Sequence, residues 1–384
     1  MSIKTERFLI RAKKLFNKGE ILQAEALFKD ILEAFPDNKD ANEGLQKIKI
    51  KQQQGTFFRD ELESAVAFVN TGNIKEALEL IEPMIEKFPS EALLFNIRGV
   101  CNKALQKFSI AVDDFNEAIT LNAEYAEAHY NLGVILREMG EPAGAANAYK
   151  KALSINNNYP NAHNNLGQLL LVNGDFYSSI DHLEWAVALK PDFAEAHNNL
   201  GNALSGLNRF REANIYYKEA IRLNPNYPEA HNNLANSLSK KLRLDEAIIH
   251  YKKAIQLNPE YSEAHFNFGV TLNKWNRSEQ AIGYLEEAIR LNPNFTKARL
   301  SLGNILRLKY EFKTAIHHFK TIIKVNPNHA IAHNSLGSAL AEQGNFEQAI
   351  VHFQTSITIN PHYLEAHQNL GTIFLILGQP EQSA

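Results

Sequence analysis

The chain has 384 residues, 40 basic and 43 acidic side chains, a net charge of −3 and 45% hydrophobic residues. So even a balance argues against a general nucleic-acid or anionic-membrane binder, whose footprint is a basic surplus, and the single cysteine, Cys101, excludes an internal disulfide and fits a reducing compartment. No apolar run approaches the ~20 residues of a membrane helix, and the N-terminus lacks the apolar core of a signal peptide, so a soluble, cytoplasmic protein is expected.

In chain order, the first apolar-periodic pair spans residues 5–38, with Gly19, Ala24, Phe28 and Pro36 at positions that recur downstream. Residues 39–57 read as an extra helix ending in the polar stretch Lys51-Gln52-Gln53-Gln54-Gly55. A further pair spans residues 58–91, with Gly72, Ala77 and Pro89 in register. From Ala92 the register becomes a repeat of 34 residues. The segment Ala196-His197-Asn198-Asn199-Leu200-Gly201 returns at 128–133, 162–167, 230–235, 264–269, 332–337 and 366–371, with degenerate copies at 94–99 and 298–303. Eight contiguous units run from 92 to 363, and a ninth begins at Leu364. A fixed period of this length marks a stacked repeat array, which grows by adding neighbours and needs no single large core.

Residues 194–227 serve as one unit. Ala196, Leu200, Ala203, Leu204 and Leu207 fall at helical spacing. Asn208 breaks the pattern, with Gly140, Gly174, Gly344 and Gly378 in the equivalent place, because glycine and asparagine tolerate the left-handed backbone that closes a helix. A second periodic stretch, Ala213, Tyr217, Ala220, Ile221 and Leu223, stops at Asn224-Pro225. Each unit is therefore a helix A, a tight turn and an antiparallel helix B. Glycines inside helix A, such as Gly133, Gly201 and Gly303, cost about 1 kcal/mol of helix propensity each. The expected compensation is close approach of the helix-B alanines Ala145, Ala213 and Ala315, with Tyr149, Tyr217 and Phe319 filling space toward the next unit.

Leu-Gly in helix A, alanine near the start of helix B, an aromatic four residues later, alanine three further and then proline together resemble the tetratricopeptide repeat. The resemblance implies an all-α fold, a right-handed superhelical solenoid with the first helices lining its inner face. On that helix asparagine recurs just before Leu-Gly, as Asn131, Asn165, Asn199, Asn233, Asn267 and Asn369, interrupted by Ser301 and Ser335. A primary amide both donates and accepts, so it can pair with the N–H and C=O of an extended peptide without reading side chains. Helices of neighbouring repeats lie roughly 10 Å apart and a strand rises about 3.3 Å per residue, so one asparagine meets every third residue of a threaded peptide. Asn202 and Asn236, one turn further along, widen the track. The ladder is similar to that in the repeat superhelix of the O-linked N-acetylglucosamine transferase family, which holds substrate peptides this way. That resemblance implies an alternative: the recognition arm of a larger glycosyltransferase, or of a sulfotransferase, with a catalytic domain beyond Ala384.

Histidines at 129, 163, 197, 231, 265, 333 and 367 read as packing, since zinc ligands must converge within about 2 Å of one ion and copies one repeat apart cannot. Glu127, Glu195, Glu229, Glu263 and Glu365 oppose the positive end of helix A. No phosphate-binding glycine loop, nucleophile elbow or zinc-protease helix is present, so no catalytic residue, metal ligand or cofactor is predicted. The expected organisation is a divergent N-terminal region at 1–57, two further divergent units at 58–125 and a regular array at 126–384. The N-terminal repeats are the expected place for a cap or a homo-oligomer contact. The apolar run 373–377, followed by only six residues after Gly378, suggests a truncated last repeat. The predicted function is a non-catalytic scaffold for protein or extended-peptide partners.

Overall fold

The computed structural model describes residues 3–378. Among the described residues there are 21 α-helices and no strand. The chain divides into two compact units, residues 1–162 and 163–384. In the first lie α1 (Ile3–Asn17), α2 (Ile21–Ala34), α3 (Lys39–Asn70), α4 (Ile74–Lys87), α5 (Ala92–Ala104), α6 (Phe108–Leu121), α7 (Ala126–Glu138) and α8 (Pro142–Ile155), and the boundary falls within α9 (Pro160–Val172). The second continues with α10 (Phe176–Leu189), α11 (Ala194–Gly206), α12 (Phe210–Leu223), α13 (Pro228–Lys240), α14 (Leu244–Leu257), α15 (Ser262–Lys274) and α16 (Ser278–Leu291). It ends with α17 (Thr296–Leu308), α18 (Phe312–Val325), α19 (Ala330–Glu342), α20 (Phe346–Ile359) and α21 (Leu364–Ile376). Within each unit successive helices pack in chain order, and in the second a buried core runs from Ile180 to Ile373.

The turns form as the sequence dictates. Gly140, Gly174 and Gly344 adopt φ near +80°, and Asn208 and Asn276 take the same left-handed role. At the end of α12, Asn224 leaves the helix in extended conformation and its Oδ1 accepts the Asn226 N–H at 3.1 Å. This asparagine turn closes the helix before the proline breaks it.

Two expectations need correction. The polar stretch 51–55 does not end a helix: α3 is one helix of 32 residues that carries the extra segment directly into helix A of the next unit. Two internal glycines, Gly44 and Gly55, at about 1 kcal/mol each, do not interrupt a helix anchored by packing at both ends, and no proline is present to do so. The glycines of helix A also face a different neighbour from the expected alanine. A Cβ at Gly201 would lie 2.5 Å from the Tyr217 ring, and one at Gly133 would lie 2.6 Å from Tyr149. The aromatic four residues beyond the helix-B alanine lies over its own repeat's glycine and seals the hairpin. The residues after Gly378, on which the truncated-repeat expectation rests, lie outside the described residues.

Candidate functional site

The asparagine ladder is built into the repeat stack. In the first unit, Asn131 Nδ2 donates to Asn96 Oδ1 at 3.0 Å. In the second, Asn199 donates to Asn164 (3.0 Å), Asn233 to Asn198 (3.1 Å), Asn267 to Asn232 (3.2 Å) and Asn369 to Asn334 (3.0 Å). Every pair is 35 residues apart, so each ladder amide bonds the residue just before the ladder position of the preceding repeat. Asn165 is buried on α9, where its Oδ1 accepts from Asn164 at 3.4 Å. The inter-repeat bond takes one of two donor hydrogens of each amide and orients the rest of the group.

The asparagines that accept these bonds are not singled out by the sequence reading. Asn96, Asn164, Asn198, Asn232 and Asn334 are all buried, and the two nitrogen–hydrogen groups of such an amide need partners. Asn164 donates to Glu195 Oε1 at 3.1 Å, and Asn96 donates to the Tyr125 hydroxyl at 3.2 Å. The signal was in the sequence, as a second asparagine that repeats where a core position was due. Glu195 thus accepts a side-chain bond in addition to facing a helix N-terminus. Burial, reinforced by Glu127, pushes the Tyr125 phenol up to about 12, and burial with Glu195 and Glu229 does the same at Tyr227. These hydroxyls therefore stay protonated.

Histidine is a packing and tethering residue. The Nε2 of His129, His197, His265, His333 and His367 lies 2.9–3.1 Å from the carbonyl oxygen six residues earlier, and His231 Nε2 lies 3.3 Å from Pro225 O. Nδ1 then faces helix B: His231 meets His250 at 2.9 Å and His333 meets His352 at 3.0 Å. Among the described residues no group of three or more histidine, cysteine, aspartate or glutamate side chains converges as a metal site. Cys101 is buried, and burial with nearby Asp114 raises its thiol to about 11. That keeps it protonated and a poor nucleophile.

Asn202 and Asn236 are held differently, each accepting from a helix-B phenol: Tyr217 OH at 2.9 Å and Tyr251 OH at 2.7 Å. Asn236 and Asn267 come together in a cleft of about 690 Å³ lined also by Ser239, Lys240, Leu242, Tyr251, Val270, Thr271, Lys274 and Trp275. Two departures from the repeat open it. Ala235 stands where every other unit from Gly99 to Gly371 has glycine, and Phe268 stands where most have leucine. At Gly201 an added Cβ would meet the tyrosine ring; Ala235 carries that Cβ. The Tyr251 ring stacks instead on Phe268 at 5.2 Å, and Phe268 packs on Tyr284 at 4.4 Å. The three rings thus run in contact from α14 through α15 to α16. Asn369 lies apart, in a smaller cleft of about 290 Å³ with Arg307, Ser338 and Thr372.

These features define a protein of stacked helical hairpins whose side-chain amides run along one helix face. Tetratricopeptide-repeat family models match residues 103–140, 135–174, 164–206, 194–227, 228–261, 250–283 and 330–363. The chain belongs to the tetratricopeptide repeat superfamily. Among curated proteins none matches it by sequence. Among solved structures, the Cut9–Hcn1 hetero-tetramer of the APC/C aligns over 100% of this chain and 92% of its own at 14% identity, with a TM-score of 0.50. YrrB, described as a repeat protein with an unusual peptide-binding site, covers 49% of this chain and 96% of its own at 27% identity and a TM-score of 0.41. Pseudomonas aeruginosa PilF covers 54% and 95% at 21% identity and a TM-score of 0.48. The family places the chain among protein-interaction scaffolds. No described helix is long and apolar enough to cross a membrane.

Proposed function

We propose that this chain is a non-catalytic scaffold that binds extended peptide along its helix-A face through the asparagine ladder. The observation that carries this is the constant 35-residue amide-to-amide bond, repeated at Asn199, Asn233 and Asn267 in consecutive units. Each bond fixes an amide at the pitch of the stack and leaves it further donor and acceptor capacity. A row of fixed amides favours a ligand read through its backbone, where main-chain bonds give affinity and side chains little. Asn131 makes the same bond within the first unit, and in the second Asn202 and Asn236 contribute their amide nitrogens.

A peptide array tests it directly. Scrambled versions of a bound peptide should be retained, while versions N-methylated at every third backbone amide should be lost. Equal retention of methylated and unmethylated peptides would remove the ladder from the account. Asn199→Asp together with Asn233→Asp, which keep the side-chain shape and remove donors, should weaken capture by about tenfold, the equivalent of 1.4 kcal/mol.

A further inference from the structure

Two lysines stand in the α13–α15 cleft without an internal counter-ion. At two places in the array the end of helix A carries an inter-repeat ion pair at the 35-residue interval: Lys103 with Glu138 at 3.0 Å, and Arg307 with Glu342. At the same register Ser205 and Ser239 replace the cations, and Lys240 and Lys274 replace the glutamates. The sign at that position is reversed and its partner removed. Both lysines are exposed, and no acidic residue is among those that line the cleft.

The rest of the wall adds donors and an apolar rim. Asn236 Oδ1 accepts from the Tyr251 phenol, and its NH₂ group supplies two donors at the cleft. Trp275 brings an indole N–H on a large apolar ring. Leu242 is 76% exposed at φ +60°, where most comparable turns use glycine or asparagine. A branched side chain strained into this region and left in solvent does nothing for the fold. Gln106 and Tyr310 share that backbone conformation, and Tyr310 is as exposed, with only an edge contact to Phe312 at 5.9 Å. Leu242 has its place on the cleft.

We propose that this cleft docks an acidic peptide segment in which a carboxylate lies next to an aromatic or large aliphatic side chain. Lys240 and Lys274 take the carboxylate, Asn236 donates to it or to the adjoining carbonyl, and Leu242 and Trp275 clasp the apolar side chain. The cleft volume is that of a small-ligand site, enough for one such anchor. The proposal deepens the peptide-scaffold reading by giving it a fixed, charge-selective anchor, but it does not need the ladder.

The test uses the full chain carrying Trp185→Phe, which leaves Trp275 as the one tryptophan. The probe is a C-terminally amidated heptapeptide with one phenylalanine flanked by aspartates, and its counterpart with asparagines. Trp275 fluorescence should change on adding the aspartate peptide, with affinity falling as salt rises and at least tenfold weaker binding by the asparagine peptide. Lys240→Gln with Lys274→Gln should weaken binding about tenfold at unchanged circular dichroism. Leu242→Gly should raise the melting temperature and still weaken binding, an outcome that a purely structural role reverses. A peptide with a free C-terminus that binds only when unamidated identifies a chain end as the carboxylate source. Equal binding of aspartate and asparagine peptides, unchanged affinity in the double lysine variant, or no binding by any of the peptides overturns the proposal. Backbone N-methylation of the aspartate heptapeptide, which the ladder reading expects to abolish capture, leaves this side-chain-anchored binding intact, so the failure of the ladder and the failure of the anchor are read separately.

Discussion

Glycine carries two opposite instructions in this chain, and space decides between them. At Gly201 a Cβ would press 2.5 Å from the Tyr217 ring, whereas at Gly283, on α16, it would meet nothing within 4 Å. Gly201→Ala gains about 1 kcal/mol of helix propensity and meets an overpacking cost of about 1–3 kcal/mol, so a net loss of about 1 kcal/mol is expected. Gly283→Ala gains the propensity alone and should stabilise by about 1 kcal/mol. Urea unfolding followed by circular dichroism checks both, and equal shifts would show that the ring yields freely. The ladder asparagines also hold the stack together. Because Asn199 and Asn233 hold Asn164 and Asn198 across repeats, alanine at both should cost about 1 kcal/mol each. The inter-repeat bonds are the reason the melting temperature falls as well.

Helix α3 makes the sharpest test among the elements, because its continuity separates two accounts of the N-terminal region. A linker at residues 51–57 would exchange its amide hydrogens at the rate of free peptide. A single helix of 32 residues protects them as part of one hydrogen-bonded ladder. Hydrogen exchange read by mass spectrometry should therefore show protection across this stretch, slower than that of the turns at Gly72 and Gly140. The hairpins themselves were legible because helix, turn and stop each leave a local mark: spacing, left-handed residue, Asn-Pro. The continuity of α3 was not, since a polar composition marks an exposed helix as readily as a linker. The ladder positions were visible as a period of 34, but their bonding partners sit at 35, set by how neighbouring helices lie against each other. The lysine reversal at Lys240 and Lys274 hides for the same reason. It appears only when residue 239 is compared with 274, as Lys103 is with Glu138.

At the scale of the whole molecule, small effects repeat with the repeats, since each unit's stability adds to its neighbours'. The second unit concentrates histidines that are neutral in the fold. Burial, then His231 and Lys218, lowers His250 to about 4, and burial with Arg299 and His317 lowers His318 to about 4. His231 and His352 are lowered as well, chiefly by burial. The tether of His231 Nε2 to Pro225 O makes its Nδ1 the acceptor for His250 Nδ1–H. Protonation would set two donors face to face. Each group binds its proton more weakly folded than unfolded, where histidine titrates near 6.5. Its contribution is thus complete above about pH 6.5 and is lost as the pH falls toward about 4. The melting temperature should be level above neutrality and decline through that window. His250→Tyr, which installs the residue found at Tyr216 and Tyr284 in the same register, should flatten part of the decline. An acid limb identical in the variant would assign the loss to carboxylates instead.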